Sequence, residues 1–261
     1  MMGRFYLMKK LWKIIDFIDI RLSCVVMLLL ASLFGQLKVL LLLFFIALIH
    51  EVFHLFACLI FKVSVNKLEI LPFGVSLQID NQEAISSIKQ IIIYLAGPLS
   101  MFINLIWIKL LYDNNLLNDF LYDYIIHINE LMCFANLLVI FPLDGYMIFK
   151  GILQLFIPYK KALKVSMIVS LIFFVFFVLY NFISFQPMIT IFLFLEQIKH
   201  IKDYKKLYQD FLIRKTKRKK ERKYKVINDY LMYKDYNNYK FESKKVLHDN
   251  DIAIIELKKY I

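Results

Sequence analysis

Two histidines and a glutamate occur together in the pattern His50-Glu51-Val52-Phe53-His54, inside one apolar stretch of the chain. Residues four apart on a helix lie about 40° apart around the axis and about 6 Å apart along it, so both imidazoles can reach one ion. Zinc lowers the pKa of a bound water towards about 7, and the adjacent carboxylate can act as the general base. The pattern therefore predicts a hydrolytic Zn²⁺ site with His50 and His54 as ligands and Glu51 as the base.

The position of this trio inside an apolar stretch strengthens the prediction. Ionisable side chains within a membrane span are costly unless they are satisfied, and they mark function by default. A buried polar network that joins helices is one alternative, although packing does not require this order of residues. A non-catalytic membrane protein, such as a transporter or a lapsed protease that binds metal with the same cluster, is another. The intact Glu51 argues against the second alternative, because a metal store needs no base.

A catalytic zinc usually has a third protein ligand. Asp144 follows Pro142, which breaks a helix, and precedes Gly145, which permits an unusual turn. We therefore expect its carboxylate to be turned inward as the third ligand. Other intramembrane residues stay open as alternatives: His127, Glu130 and Glu196. Of these, His127 and Glu130 are more typical of an interfacial or interhelical position.

The elements that must position these residues are membrane spans. Apolar residues make up 60% of the 261-residue chain and the mean hydropathy is +0.60, whereas soluble domains are about 45–50% apolar. The expected fold is an all-α polytopic membrane protein with about six transmembrane helices. Their predicted ranges are 18–34, 37–61, 86–111, 124–143, 163–183 and 186–200. The isolated cysteines predict packing roles and no disulfide.

Lysines and arginines alternate between the loops. The N-terminus and the loops at 62–85 and 144–164 are basic, whereas those at 112–123 and 184–187 carry no Lys or Arg. By the positive-inside rule, this alternation predicts that both termini are cytoplasmic. No small-residue cleavage site follows the basic first turns, so we expect no removable signal peptide.

The segment 62–80 differs from the spans around it because polar and apolar residues alternate along it, with Pro72 and Gly74 in the middle. This pattern predicts a small β-hairpin or re-entrant segment at the cytoplasmic face. Irregular backbone at membrane depth is tolerated only against protein or water, so such a segment tends to border a polar cavity.

The C-terminal part of the chain is strongly basic. Residues 199–261 carry 19 Lys/Arg and 9 Asp/Glu, a net charge of +10 out of +12 for the chain. We expect a transmembrane domain at 1–200 and a basic cytoplasmic tail at 201–261 without a complete regulatory domain. The run at 214–225 favours contact with anionic lipid, and docking of a protein substrate is an alternative. We expect no nucleic-acid partner, because no aromatic-basic recognition module accompanies the run.

Over about residues 35–160 the chain resembles site-2-type intramembrane zinc metalloproteases. That family combines HExxH on one span with Asn-x-x-Pro-x-x-Pro-x-Asp-Gly on a later one. The second pattern is matched at Asn136, Pro142, Asp144 and Gly145, with Val139 in place of the first proline. Ala96-Gly97-Pro98 also matches a family motif that lies next to the active site. The resemblance implies that His50, His54 and Asp144 hold zinc and that Asn136 steadies the substrate.

Gly35-Gln36 predicts a tight hairpin between the first two spans. Within the family, this hairpin and the sequence Ile70-Leu71-Pro72-Phe73-Gly74 are most similar to the stage IV sporulation protein FB group. Those enzymes process the inactive precursor of a late mother-cell sigma factor. The resemblance implies a bacterial cell membrane or the mother-cell membrane around the forespore, a sigma-factor precursor as substrate and an inhibitory membrane partner. The group usually carries a nucleotide-sensing domain after the last span, and 226–261 is too short for a complete one.

Overall fold

The computed structural model describes residues 18–20, 22–35, 37–71, 74–80, 84–184, 187–217, 223–242 and 245–260, and these are mostly helical. The helices are α1 (Leu22–Leu33), α2 (Leu37–Ile60), α3 (Ser87–Asp113), α4 (Asp119–Leu137), α5 (Asp144–Phe156), α6 (Tyr159–Ser184), α7 (Pro187–Lys202), α8 (Tyr204–Lys217) and α9 (Asp249–Leu257). The strands are β1 (Ile18–Ile20), β2 (Val65–Leu71), β3 (Gly74–Ile79), β4 (Tyr224–Val226), β5 (Asn237–Glu242) and β6 (Lys245–Leu247).

Three of the described helices are long and apolar enough to span a membrane. These segments are Leu40–Ile60 in α2, Ser87–Asp113 in α3 and Tyr159–Tyr180 in α6. The predicted helical membrane fold with a small hairpin is therefore confirmed. The count of six spans stays a prediction, because α1 has 12 residues, α7 has 16, and α4 contains three acidic residues. The basic residues of the predicted N-terminal cytoplasmic segment lie outside the described residues.

One predicted span ends earlier than expected. The apolar run 124–143 predicts a helix to residue 143, but α4 ends at Leu137 and α5 begins at Asp144. Pro142 has no N–H to donate and cannot continue a helix, so the chain crosses 138–143 as irregular backbone. The predicted loop at 144–164 is also wrong in part, because it contains α5. Lys150 of that helix is only 2% exposed, so it is not a surface charge of the kind that the orientation argument counts.

The predicted hairpin at 62–80 is present as β2 and β3, which pair antiparallel with Leu68 opposite Leu77. β1 pairs parallel with β2 on its other side, which places β3 at one edge of this three-stranded sheet. β1 begins at residue 18, which the sequence assigned to the first span. Pro72 and Phe73 between the hairpin strands lie outside the described residues.

The chain divides into two compact units. The first contains residues 1–80 and 95–136, and the second contains residues 81–94 and 137–261, so α3 runs through both. In the first unit, isoleucines from α2, α3 and α4 form a buried core: Ile46, Ile108, Ile125 and Ile128.

The second unit includes the predicted tail, and its described part is folded. β4 pairs parallel with β5, and β5 pairs antiparallel with β6. Side chains from α6, α8, α9 and β6 form one buried cluster, including Tyr159, Leu163, Tyr208, Phe211, Leu212, Leu247 and Ile252. Burial raises the pKa of the Tyr208 hydroxyl. The domain boundary at residue 200 stays a prediction.

The basic run at 214–225 is not uniformly exposed. Lys215 is buried, and its Nζ donates to Asp249 Oδ2 at 3.0 Å and to the Tyr236 carbonyl at 2.6 Å. This lysine is therefore part of the packed tail and is not available to lipid headgroups.

Candidate metal centre

Helix α2 holds the two histidines on one side, one turn apart. Its 24 residues contain neither glycine nor proline, so the helix is uninterrupted from Leu37 to Ile60. His50 and His54 are 5% and 3% exposed. Their Nε2 atoms lie 3.1 Å apart, and the rings meet edge to face at 4.7 Å. The helical spacing therefore brings both ring nitrogens to one point, as predicted from sequence.

Glu51 joins this cluster from the same helix. Ligand atoms of His50, Glu51 and His54 all lie within 4.8 Å of one another, with the glutamate half-buried. Its Oε2 accepts a hydrogen bond from the backbone amide of Leu77 in β3 at 2.9 Å. This bond fixes the base against the sheet.

Gly97 of α3 lies directly against the histidine pair. A Cβ at this position would fall 2.2 Å from His54 Nε2 and 2.5 Å from His50 Nε2. These values are close to the zinc–nitrogen distance of about 2.0–2.1 Å, so any side chain at residue 97 would fill the space in front of both nitrogens. Two buried imidazoles and a carboxylate, facing a space kept open by glycine, fit a zinc ion.

The other two predicted site residues lie at the two ends of the irregular segment. Asp144 is the first residue of α5, in the second unit, and is 8% exposed. Asn136 lies in the last turn of α4, in the first unit, and is half-buried. Gly145, which follows Asp144, is tightly packed, because a Cβ there would lie 2.1 Å from the Leu137 carbonyl oxygen. The roles of Asp144 and Asn136 stay predictions.

Sequence reasoning missed two polar side chains that hold the segment before Asp144. Ser170 Oγ of α6 accepts a hydrogen bond from the Phe141 amide at 2.9 Å and another from Gln197 Nε2 of α7 at 2.7 Å. The same Gln197 Nε2 donates to the Phe141 carbonyl at 3.3 Å. A polar residue within an apolar helix was the available signal for both.

A second missed group surrounds the same segment. The Phe141 ring stacks on His200 at 4.0 Å, with the planes 4° apart. His200 Nε2 lies 2.6 Å from the Tyr146 hydroxyl, which also lies 3.2 Å from Ser166 Oγ. Helices α5, α6 and α7 thus meet around Phe141 through both its backbone and its ring.

The alternative ligands considered on α4 differ in exposure. His127 is exposed and Glu130 is half-buried. The buried polar contact between α3 and α4 is instead made by Asn104, whose Nδ2 donates to Asn129 Oδ1 at 2.8 Å. Asn129 therefore makes an interhelical polar contact in this part of α4.

The fold of the chain is similar to that of a site-2 protease. The chain is similar to the solved structure of the Site-2 Protease from Methanocaldococcus jannaschii, with a TM-score of 0.56 and 21% identity, over 70% of this chain and 89% of that one. Among curated proteins it is similar to Stage IV sporulation protein FB of Bacillus subtilis (strain 168), 27% identical over 143 residues.

That match covers 53% of this chain and 48% of the relative, so the chain spans about half the length of the curated protein. No family model matches the chain. The two similarities confirm the predicted resemblance to site-2-type proteases.

Proposed function

We propose that the protein is an intramembrane zinc endopeptidase. The observation that carries the proposal is the cluster of buried His50 and His54 with half-buried Glu51, on a helix long and apolar enough to span a membrane. Buried ionisable groups on such a helix are costly, and hydrolysis explains all three residue types together.

In this proposal His50, His54 and Asp144 hold the zinc. When bound, zinc supplies Lewis acidity and a water of lowered pKa. Glu51 accepts a proton from the attacking water and delivers it to the departing amine. The Leu77 amide keeps the Glu51 carboxylate oriented for both transfers. Asn136 steadies the backbone of the substrate near the scissile bond.

The sheet provides a surface on which the substrate can be extended. A helical peptide shields its carbonyls, so it must be opened before attack. Within the described residues β3 is an edge strand, and its Leu77 amide points away from β2 towards Glu51. By the alternation of an antiparallel pair, the amide of Val75 faces the same edge. A peptide added at this edge would lie beside the base.

The proposed substrate is a membrane-associated protein that is cut near the cytoplasmic face, specifically a sporulation sigma-factor precursor. The similarity to a relative named as a sporulation protein supports this choice. We place the enzyme in the bacterial cell membrane, or in the mother-cell membrane around the forespore, with both termini cytoplasmic. An inhibitory membrane partner completes the proposal.

The test compares the full chain and Glu51→Gln, both reconstituted in lipid vesicles with sigma-factor precursors. We expect the wild-type protein to contain about one zinc per chain, measured by mass spectrometry, and to shorten a precursor. Glu51→Gln should retain the zinc and leave the precursor intact. If both proteins contain zinc and neither cleaves any of the sigma-factor precursors tested, the result would favour the non-catalytic metal-binding alternative.

A further inference from the structure

We propose that Ser170 and Gln197 are positioning residues, which hold Asp144 in place by clamping the backbone of Phe141. The inference rests on the proposed function, because it assigns Asp144 a role at the metal. It concerns side chains on α6 and α7, outside both sequence motifs.

The irregular backbone between α4 and α5 is the reason such a clamp is needed. Residues 138–143 cannot use the hydrogen bonds of a continuous helix. Between apolar helices there is little water to replace those bonds, so irregular backbone persists only where protein groups satisfy it. Two short-range bonds, Ile140 N to the Leu138 carbonyl and Leu143 N to the Ile140 carbonyl, serve part of the segment.

Phe141 is served from two other helices. Ser170 Oγ accepts from its amide, and Gln197 Nε2 donates to its carbonyl, so both backbone groups of one residue are paired with side chains. The Gln197–Ser170 bond of 2.7 Å joins the two partners to each other. Both are buried, so water competes little for these bonds.

Phe141 lies three residues before Asp144, and the chain between them has little freedom. The amide of Leu143 is bonded to the Ile140 carbonyl, and the amide of Tyr146 is bonded to the Leu143 carbonyl. Gly145 is packed closely against the end of α4, because a Cβ at this position would lie 2.1 Å from the Leu137 carbonyl oxygen. A shift of Phe141 must therefore be transmitted to the start of α5.

The zinc affinity of the folded protein distinguishes a positioning role of Ser170 and Gln197 from a merely stabilising one. If Ser170 and Gln197 only stabilise the fold, their loss lowers thermal stability and leaves the folded protein's zinc affinity unchanged. If they position a ligand, zinc affinity falls in the folded protein, as for outer-shell partners of metal ligands, which contribute about 10–100-fold.

The experiment uses full-length Gln197→Met and Ser170→Ala in detergent or vesicles. Methionine matches glutamine in size without a donor, and alanine removes a single oxygen. Lys199→Met is the control on α7, because Lys199 is exposed and pairs only locally with Glu196 among the described contacts. Ser170→Thr is the conservative variant, since it keeps the hydroxyl.

We expect zinc affinity, measured by chelator competition, to fall about 10–100-fold in Gln197→Met and Ser170→Ala. Lys199→Met and Ser170→Thr should stay within about twofold of wild type by the same argument. The kcat should fall while KM is unchanged. In the metal-free protein, amide hydrogen exchange over 141–146 should be faster in the two disrupting variants.

Wild-type zinc affinity and wild-type exchange in folded Gln197→Met and Ser170→Ala would overturn the positioning role while leaving the proposed function intact. If one variant fails to fold, the other decides, because each removes a different partner of Phe141. A wild-type protein that binds no zinc would overturn the proposed function, and this inference with it.

Discussion

The carboxylate of Glu51 and the backbone amide of Leu77 are joined by a hydrogen bond of 2.9 Å. Glu51 lies on α2 and Leu77 on β3, 26 residues further along the chain. The proposed base is therefore attached to the edge strand on which we expect the substrate to lie. A displacement of that strand would also displace the base.

The Glu51–Leu77 bond predicts a difference between two substitutions of the same residue. Glutamine keeps an oxygen that can accept from the Leu77 amide, whereas alanine leaves that amide unpaired. We expect both Glu51→Gln and Glu51→Ala to lose cleavage, by about 10²–10⁴-fold or more. We expect only Glu51→Ala to lower the free energy of unfolding, by about 1 kcal/mol. Thermal unfolding of the metal-free proteins measures this difference, and equal midpoints would argue against the bond.

The histidine pair predicts the loss of metal from either single substitution. His50 and His54 lie with their Nε2 atoms 3.1 Å apart, so each would supply one ligand of a single ion. Loss of a residue that only hydrogen-bonds to a metal ligand lowers metal affinity by about 10–100-fold. His50→Ala and His54→Ala remove a ligand itself, so we expect zinc affinity to fall further than this. Zinc content after equilibrium dialysis is the measurement. Stoichiometric zinc in a folded double variant would reject the site.

For Gly97→Ala we expect a steric effect that is opposite in sign to the effect of helix propensity. Alanine is about 1 kcal/mol better than glycine in a helix interior, so propensity alone predicts a more stable protein. Because the new Cβ would lie 2.2 Å from His54 Nε2, we expect Gly97→Ala to lose zinc and cleavage. Gly151→Ala is the matched control for steric crowding away from the histidines, since its Cβ would lie 2.8 Å from Ile91 Cγ1 and its nearest atoms belong to Ile91 and Ser87. Retention of zinc by Gly97→Ala would mean that the space beside the histidines is not used.

Sequence reasoning succeeded where the geometry is local. The spacing of His50 and His54 fixes their relation on any helix, and the alternation in 62–80 predicts the hairpin. Pairings between distant segments left weaker signals: the Leu77 amide offers no side-chain pattern, and Gln197 is one polar residue in an apolar helix. The end of α4 was misjudged because hydropathy continues to residue 143 after helical hydrogen bonding has stopped.

The C-terminal tail, residues 201–261, shows the same difference between local patterns and pairings of distant segments. Its net charge predicts a basic cytoplasmic tail, but the described part contains buried lysines whose partners come from distant positions. Lys234 is fully buried, and its Nζ donates to Gln90 Oε1 and Gln154 Oε1 at 3.0 Å each. A count of charges along the chain cannot reveal such contacts.

Lys234 therefore predicts a stability effect. It connects the tail to α3 and α5, and the adjacent Asp235 accepts from the Ser87 amide at 3.1 Å. Lys234→Met removes the donor from two buried acceptors, so we expect the free energy of unfolding to fall by about 1–3 kcal/mol. Lys245→Met, at an exposed position on β6, should be nearly neutral. Thermal unfolding and the rate of limited proteolysis within 223–260 measure the effect, and equal values for the two variants would contradict it.

The position of Asp144 predicts that it is the acidic residue that completes the metal site. It is 8% exposed at the first residue of α5, directly after the irregular segment, whereas an aspartate at a solvated turn would tolerate amidation. A carboxylate ligand supplies negative charge that partly neutralises zinc in surroundings of low dielectric constant, and the neutral amide is a much poorer donor. We expect Asp144→Asn to abolish cleavage and weaken zinc binding, with Glu130→Gln and Glu196→Gln close to wild type in both.

Glu196 is partnered by Lys199 at 3.8 Å, which gives it a local structural role. Zinc content and cleavage of the three variants, measured side by side, decide the assignment, and loss of zinc from Glu130→Gln with Asp144→Asn unaffected would move the third ligand to α4.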